Sequence, residues 1–206
     1  VQDIFYEEPR VLTISLHEDG RYLFPGTGSL RERGSGAGDG YAVNVPLPPY
    51  ATPACYLLAF DEVVDPAVRA FAPDIVVAQC GADAHWSDPL ASRGLSLPGF
   101  EQLYRRIVAL ADEVCAGRLL ATGGGGYSWQ RVVPQAWTLL AGVLTGVPLT
   151  EALPERWLDL AEPHDGPIGL REDEPPRLSE RTEEELLADV RRVADRLHVL
   201  GVPPPG

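Results

Sequence analysis

Short apolar runs that end in glycine- or aspartate-rich loops, followed by stretches of helical periodicity, recur along this 206-residue chain. That rhythm admits few architectures. VLTISL (11–16), YAVNVPL (41–47), the opening of DIVVAQCGADAHWSDPL (74–90) and RLLAT (118–122) read as strands. Residues 53–71, with a break expected near Pro66, read as helix, and so do 131–145 despite Pro134. Between them Phe100, Leu103, Ile107, Leu110, Ala111 and Val114 recur at spacings of three and four, which places them on one helical face. The run at 74–80 is continuously apolar rather than alternating, so it predicts a parallel strand covered on both faces. The expected class is α/β with a mostly parallel sheet between helical layers. Ligands of such sheets bind outside the carboxyl ends of the strands. The loops at 80–90 and 123–129 both leave carboxyl ends and are placed to face one crevice.

Composition narrows the class of partner. The net charge of −13 leaves no basic face with which to neutralise phosphates, so direct nucleic-acid binding is not expected, whereas a basic peptide is electrostatically welcome. Apolar runs are too short to span a bilayer, and VQDIFYEEPR has neither half of a signal peptide, so cytoplasmic residence is the expectation. Cys55, Cys80 and Cys115 lie far apart with no CxxC pair, against a disulfide framework or a thiolate zinc site. After about residue 150 proline and charge rise, and 182–200 then resumes as an amphipathic helix with Leu186, Leu187, Val190, Val193, Leu197 and Leu200 toward one side. The closing VPPPG is expected to fray.

Two loops carry the candidate chemistry. Asp83 follows a buried strand and suits a metal ligand, a general base or a turn cap. With His85 and Asp88 it forms an Asp-x-His-x-x-Asp cluster, three potential ligands for a hard or borderline cation. In the second loop, Gly123 to Gly126 precede Tyr127. Four glycines carry a large entropic cost and need a reason such as a sharp turn or close approach to a ligand. A phosphate cradle is disfavoured, since neither a P-loop ending nor G-x-G-x-x-G is present. A tight turn with a packed tyrosine remains open beside the alternative, a hydroxyl aimed at a developing oxyanion. His17 reads as structural, His164 and His198 lie in the tail and carry no catalytic reading, and Trp86 and Trp129 are the tryptophans that adjoin the site.

TISLHEDGRYLFPGTGS, YAVNVPL, CGADAHWSDPL and ATGGGGYS, in this order, resemble the zinc-dependent histone deacetylase family, especially its bacterial acetoin utilization protein-like branch. The resemblance covers about residues 1–150 and implies an arginase-like three-layer αβα fold around an eight-stranded sheet. It further implies hydrolysis of acetyl-lysine amides in proteins by zinc-activated water. Carried over by motif, Asp83 is a zinc ligand and Tyr127 polarises the acyl carbonyl. Phe24 and Leu90 become walls of the acyl-lysine channel, with Gly125 and Gly126 lining it beside the tyrosine. Potassium is a further implied ion, held by backbone oxygens of Ser15 and Leu16, with Phe5, Glu8, Val11 and Tyr41 at a second site.

The family's remaining zinc ligands, an Asp-x-His motif, and its His-His proton-transfer pair belong upstream of a VQDIFY-like segment. No adjacent histidine pair and no methionine occur in these 206 residues. The expectation is therefore the C-terminal part of a catalytic domain (1–150) with its N-terminal portion absent from this chain, followed by a C-terminal extension (151–206), inactive alone. A degenerate binding module, an acetylpolyamine or small-amide deacetylase and an arginase-like binuclear hydrolase stand as alternatives, the last opposed by the GGGGY tyrosine.

Overall fold

The computed structural model describes residues 1–160, 169–171, 175 and 179–201; His164 and the closing VPPPG lie outside the described residues. Among the described residues four strands form in chain order, β1 (Thr13–Glu18), β2 (Ala42–Leu47), β3 (Val76–Gln79) and β4 (Leu119–Thr122). They pair as two parallel couples, β1 with β2 from Thr13↔Ala42 to Glu18↔Leu47 and β3 with β4 from Val76↔Leu119 to Gln79↔Thr122. Parallel pairing needs a crossover, and α3 (Leu97–Cys115) supplies it between β3 and β4. β1 opens two residues later than the apolar run, because the Val11 N–H is already given to the Glu8 carbonyl in a turn (3.3 Å).

The helices follow the apolar periodicity closely, with one correction. Residues 53–71 do not break at Pro66. α1 (Pro53–Ala59) runs into a wider π turn, Phe60–Val64, in which the Asp65 N–H reaches the Phe60 carbonyl, and α2 (Asp65–Phe71) continues. The widened turn delivers Pro66 into the first turn of α2, where a missing N–H costs no helical hydrogen bond. Ser96 caps the start of α3, its hydroxyl accepting the Gly99 N–H at 3.3 Å. α4 (Val132–Thr145) takes Pro134 in its first turn and stops at Gly146 in the left-handed conformation. α5 spans Glu155–Leu160.

α6 (Glu183–Val199) opens with a reciprocal capping box between Thr182 and Glu185. It lies on β2 and α1 and buries Leu186, Val190, Ala194 and Leu197 in the same core as Val43, Val45 and Leu47 of β2. Thr52 donates to the Glu183 carboxylate (2.8 Å), and Arg33 donates to the Leu200 carbonyl (2.7 Å), fastening both ends of the helix to the body. Truncating Leu197 to Ala should therefore destabilise the chain by about 2–5 kcal/mol in urea unfolding, the range for a buried leucine with partial relaxation. A loss under about 1 kcal/mol would show that α6 is not part of the cooperative core.

The expected two-sided cover of 74–80 is not what forms. β3 and β4 alternate: Ala78 and Ala121 pack on the core, while Ile75, Val77 and Leu120 point outward, Val77 at 62% exposed. Among the described residues nothing lies over that face. A continuous apolar run reports that a second layer is needed, and that layer is not in these residues.

Candidate functional site

The loops that leave β3 and β4 are stitched together by the backbone. Cys80 donates to the Thr122 carbonyl (2.8 Å), continuing the ladder past the strands, and Ala82 donates to the Gly125 carbonyl (2.6 Å). The β3 loop then folds back on itself: Trp86 donates to the Leu95 carbonyl (2.9 Å) and Leu95 donates to the Ala84 carbonyl (3.2 Å). The indole of Trp137 on α4 donates to the Cys80 carbonyl (2.9 Å), so the helix after the glycine run braces the loop before Asp83.

Asp83 sits half-buried where the two loops meet. A β-carbon at Gly125 would lie 2.6 Å from its Oδ2, so only glycine lets the second loop pass this close to the carboxylate. Gly126, at φ +149, then turns the chain toward Tyr127 with a backbone conformation that other residues rarely adopt. Both contacts give the glycine run its reason: it is a close approach of backbone to an acidic side chain, followed by a turn. The Asp83 carboxylate accepts no hydrogen bond among the described residues, which leaves its lone pairs available to a cation.

The Asp-x-His-x-x-Asp cluster does not converge, and among the described residues no group of three His, Cys, Asp or Glu side chains is placed to hold one ion. His85 is 2% exposed, receives the Ser87 N–H at Nδ1 (3.2 Å) beside the Ser87 hydroxyl (2.9 Å), and stacks on Phe100 of α3 with ring centroids 6.4 Å apart. It is a packing histidine. Asp88 is buried as well, and both its oxygens are spent on backbone donors, Leu90 N–H at Oδ1 and Tyr127 N–H at Oδ2, each at 2.9 Å. Spacing along the chain shows three possible ligands; two of them are turned inward by the loop's own folding.

Tyr127 is 51% exposed, and its hydroxyl makes no hydrogen bond among the described residues. Leu90 is exposed beside the same loop, and Phe24 is 92% exposed at the tip of the loop after β1. That loop is anchored at its base: His17 Nε2 meets the Gly28 carbonyl at 2.9 Å, while Glu32 accepts the N–H groups of Gly28 and Ser29. Ser15 and Leu16 lie within β1, and the Ser15 hydroxyl is 3.0 Å from His17 Nδ1.

A charged residue unseen in the sequence, the half-buried Arg93, lies within the electrostatic reach of Asp83. Burial works against the Arg93 guanidinium, but Tyr56, Asp83 and Glu18 around it outweigh that and hold its pKa above the ordinary value. Burial pushes the Tyr56 phenol up, despite the opposing field of Arg93. Glu18, at the end of β1, is buried and accepts the Ser92 N–H at 3.0 Å. No periodicity or motif marks Arg93; its role follows only from the way 92–94 is pinned against 50–51 by Tyr50 N–H to Ser92 O (2.6 Å) and Gly94 N–H to Ala51 O (3.1 Å).

A sequence model of the family described as histone deacetylase domain matches residues 1–144. The acetoin utilization protein AcuC of Bacillus subtilis (strain 168) is 40% identical over 158 residues, which cover 77% of this chain and 41% of that protein. A probable deacetylase of Archaeoglobus fulgidus is 39% identical over 158 residues, covering 76% of this chain and 44% of that protein. The crystal structure of the HDA15 HD domain superposes with a TM-score of 0.67 at 27% identity, covering 97% of this chain and 48% of that one. The chain thus spans less than half the length of each of these relatives. Its parallel strand pairs, helical layers and matched motifs make it a member of the histone deacetylase family with a deacetylase-like αβα fold.

Proposed function

We propose that this chain is the part of a zinc-dependent deacetylase that carries one zinc ligand and the carbonyl-polarising tyrosine, acting on the amide C–N bond of acetyl-lysine in proteins. The observation that carries this reading is an unclaimed carboxylate, Asp83, lying against the Gly125 backbone of the loop that leads into Tyr127, at the carboxyl ends of two paired parallel strands. Asp83 fits a zinc ion as one oxygen donor, with its lone pairs unclaimed and its carboxylate framed by the Gly125 backbone. Zinc bound there supplies Lewis acidity to the amide carbonyl and lowers the pKa of the attacking water. Tyr127 supplies a hydroxyl donor to the oxygen on which charge develops. Leu90 and Phe24 are apolar walls for the acyl-lysine chain, and Gly125 and Gly126 leave the channel free of side chains.

One carboxylate does not make a three-ligand catalytic site, so the other donors come from polypeptide beyond the described residues. The relatives' greater length and the uncovered face of Val77 and Leu120 support that reading. On it, residues 1–150 form the C-terminal part of the catalytic domain and 151–206 an extension whose helix α6 closes the core. Ser15 and Leu16 are the candidate potassium ligands.

A second substrate reading, a small acetylated polyamine, is favoured by the net charge of −13, which attracts a cationic amide as readily as a basic peptide. Among the described residues no helix is long and apolar enough to cross a membrane. Acetate release from an acetyl-lysine peptide and from an acetylated polyamine, measured on a polypeptide extended to carry the remaining donors, tests both. Turnover of the peptide supports the main reading, polyamine alone selects the second, and neither removes both.

A further inference from the structure

Tyr127 has little of its own to hold it. The four residues before it are glycines without side chains to pack, its ring is half exposed, and its hydroxyl is unbonded among the described residues. What fixes its backbone is Asp88, buried at 7% exposure, whose Oδ2 takes the Tyr127 N–H while its Oδ1 takes the Leu90 N–H. No Lys or Arg pairs with Asp88 among the described residues, so its charge is met by those backbone dipoles. The same carboxylate therefore ties the residue proposed to polarise the carbonyl to a residue proposed to wall the channel.

We infer that Asp88 is a positioning residue, a clasp that sets where the Tyr127 hydroxyl stands relative to the Leu90 wall. The inference rests on the functional reading above, but the clasp itself is open to test without it. Asparagine keeps the shape and one carbonyl oxygen, so Asp88→Asn can receive only one of the two N–H groups with an oxygen while its amide nitrogen faces the other. A misplacement on the order of 1 Å at a reacting group costs about 100-fold in rate.

In the extended polypeptide, Asp88→Asn should lower kcat roughly 10- to 100-fold while KM and zinc content hold. In a Tyr127→Phe background the same change should cost less than about 3-fold, because the group it positions is already gone. Equal losses in both backgrounds would overturn the inference, since Asp88 would then act independently of Tyr127. Amide hydrogen exchange on the unsubstituted chain reads the clasp directly and does not depend on the variant folding. Slow exchange at Tyr127 and Leu90 supports it, and exchange at both sites as fast as at an open loop overturns it. Protected amides with an inactive extended polypeptide would sink the functional reading, and with it the catalytic purpose of the clasp, while leaving the clasp as structure.

Discussion

A Tyr127→Phe substitution in the extended polypeptide should lower turnover of an acetyl-lysine peptide about 100-fold, with zinc content unchanged. The size follows from removal of a single hydrogen-bond donor aimed at a developing oxyanion, for which losses of 100- to 1,000-fold are typical. The structure makes the experiment clean. The hydroxyl has no hydrogen-bond partner among the described residues, so its removal breaks no contact that holds the loop, and the Tyr127 N–H to Asp88 bond survives the change. Unfolding midpoints of the two proteins should coincide. Zinc loss on this substitution would mean that the tyrosine supports the metal rather than the carbonyl, and unchanged turnover would remove it from the chemistry.

Asp83→Asn in the same polypeptide should abolish measurable turnover and weaken zinc binding by more than the roughly 10- to 100-fold that loss of a ligand's own hydrogen-bonding partner costs. An amide is a poorer donor to zinc than a carboxylate and brings no charge to offset the ion. Since the carboxylate accepts no hydrogen bond among the described residues, the backbone bond between Ala82 and Gly125 should keep both loops in place. Arg93 loses one of its compensating neighbours but keeps Glu18. Full zinc retention by Asp83→Asn, measured by metal analysis after dialysis, would show that the ion, if one binds, sits elsewhere.

Much of this architecture is legible in the residues because periodicity reports burial. The helical spacing from Phe100 to Val114 and from Leu186 to Leu197 returns as α3 and α6, with Ala194 added to the buried side. Parallel pairing was legible in the strand–loop–helix order, and so was the meeting of the two loops that leave the ends of β3 and β4. Periodicity does not say what covers a strand, and so Val77 and Leu120 are exposed where cover was expected. Nor does it foresee that a helix can absorb a proline by widening one turn, as at Phe60–Val64. At the site, residue type pointed to Asp83, His85 and Asp88 alike. Only the three-dimensional folding of the loop separates them, by stacking His85 on Phe100 and giving both oxygens of Asp88 to backbone N–H groups. Arg93 and Tyr56 come together from segments far apart in the chain, and nothing local marks either one.

The measurement that bears most directly on the central claim is zinc stoichiometry and acetyl-lysine peptide hydrolysis, run side by side on this chain and on the extended polypeptide. One tightly held zinc and turnover are expected in the extended protein, with weak zinc binding and no turnover in the 206-residue chain. Turnover by the 206-residue chain itself, or an extended protein with neither zinc nor activity, would contradict it.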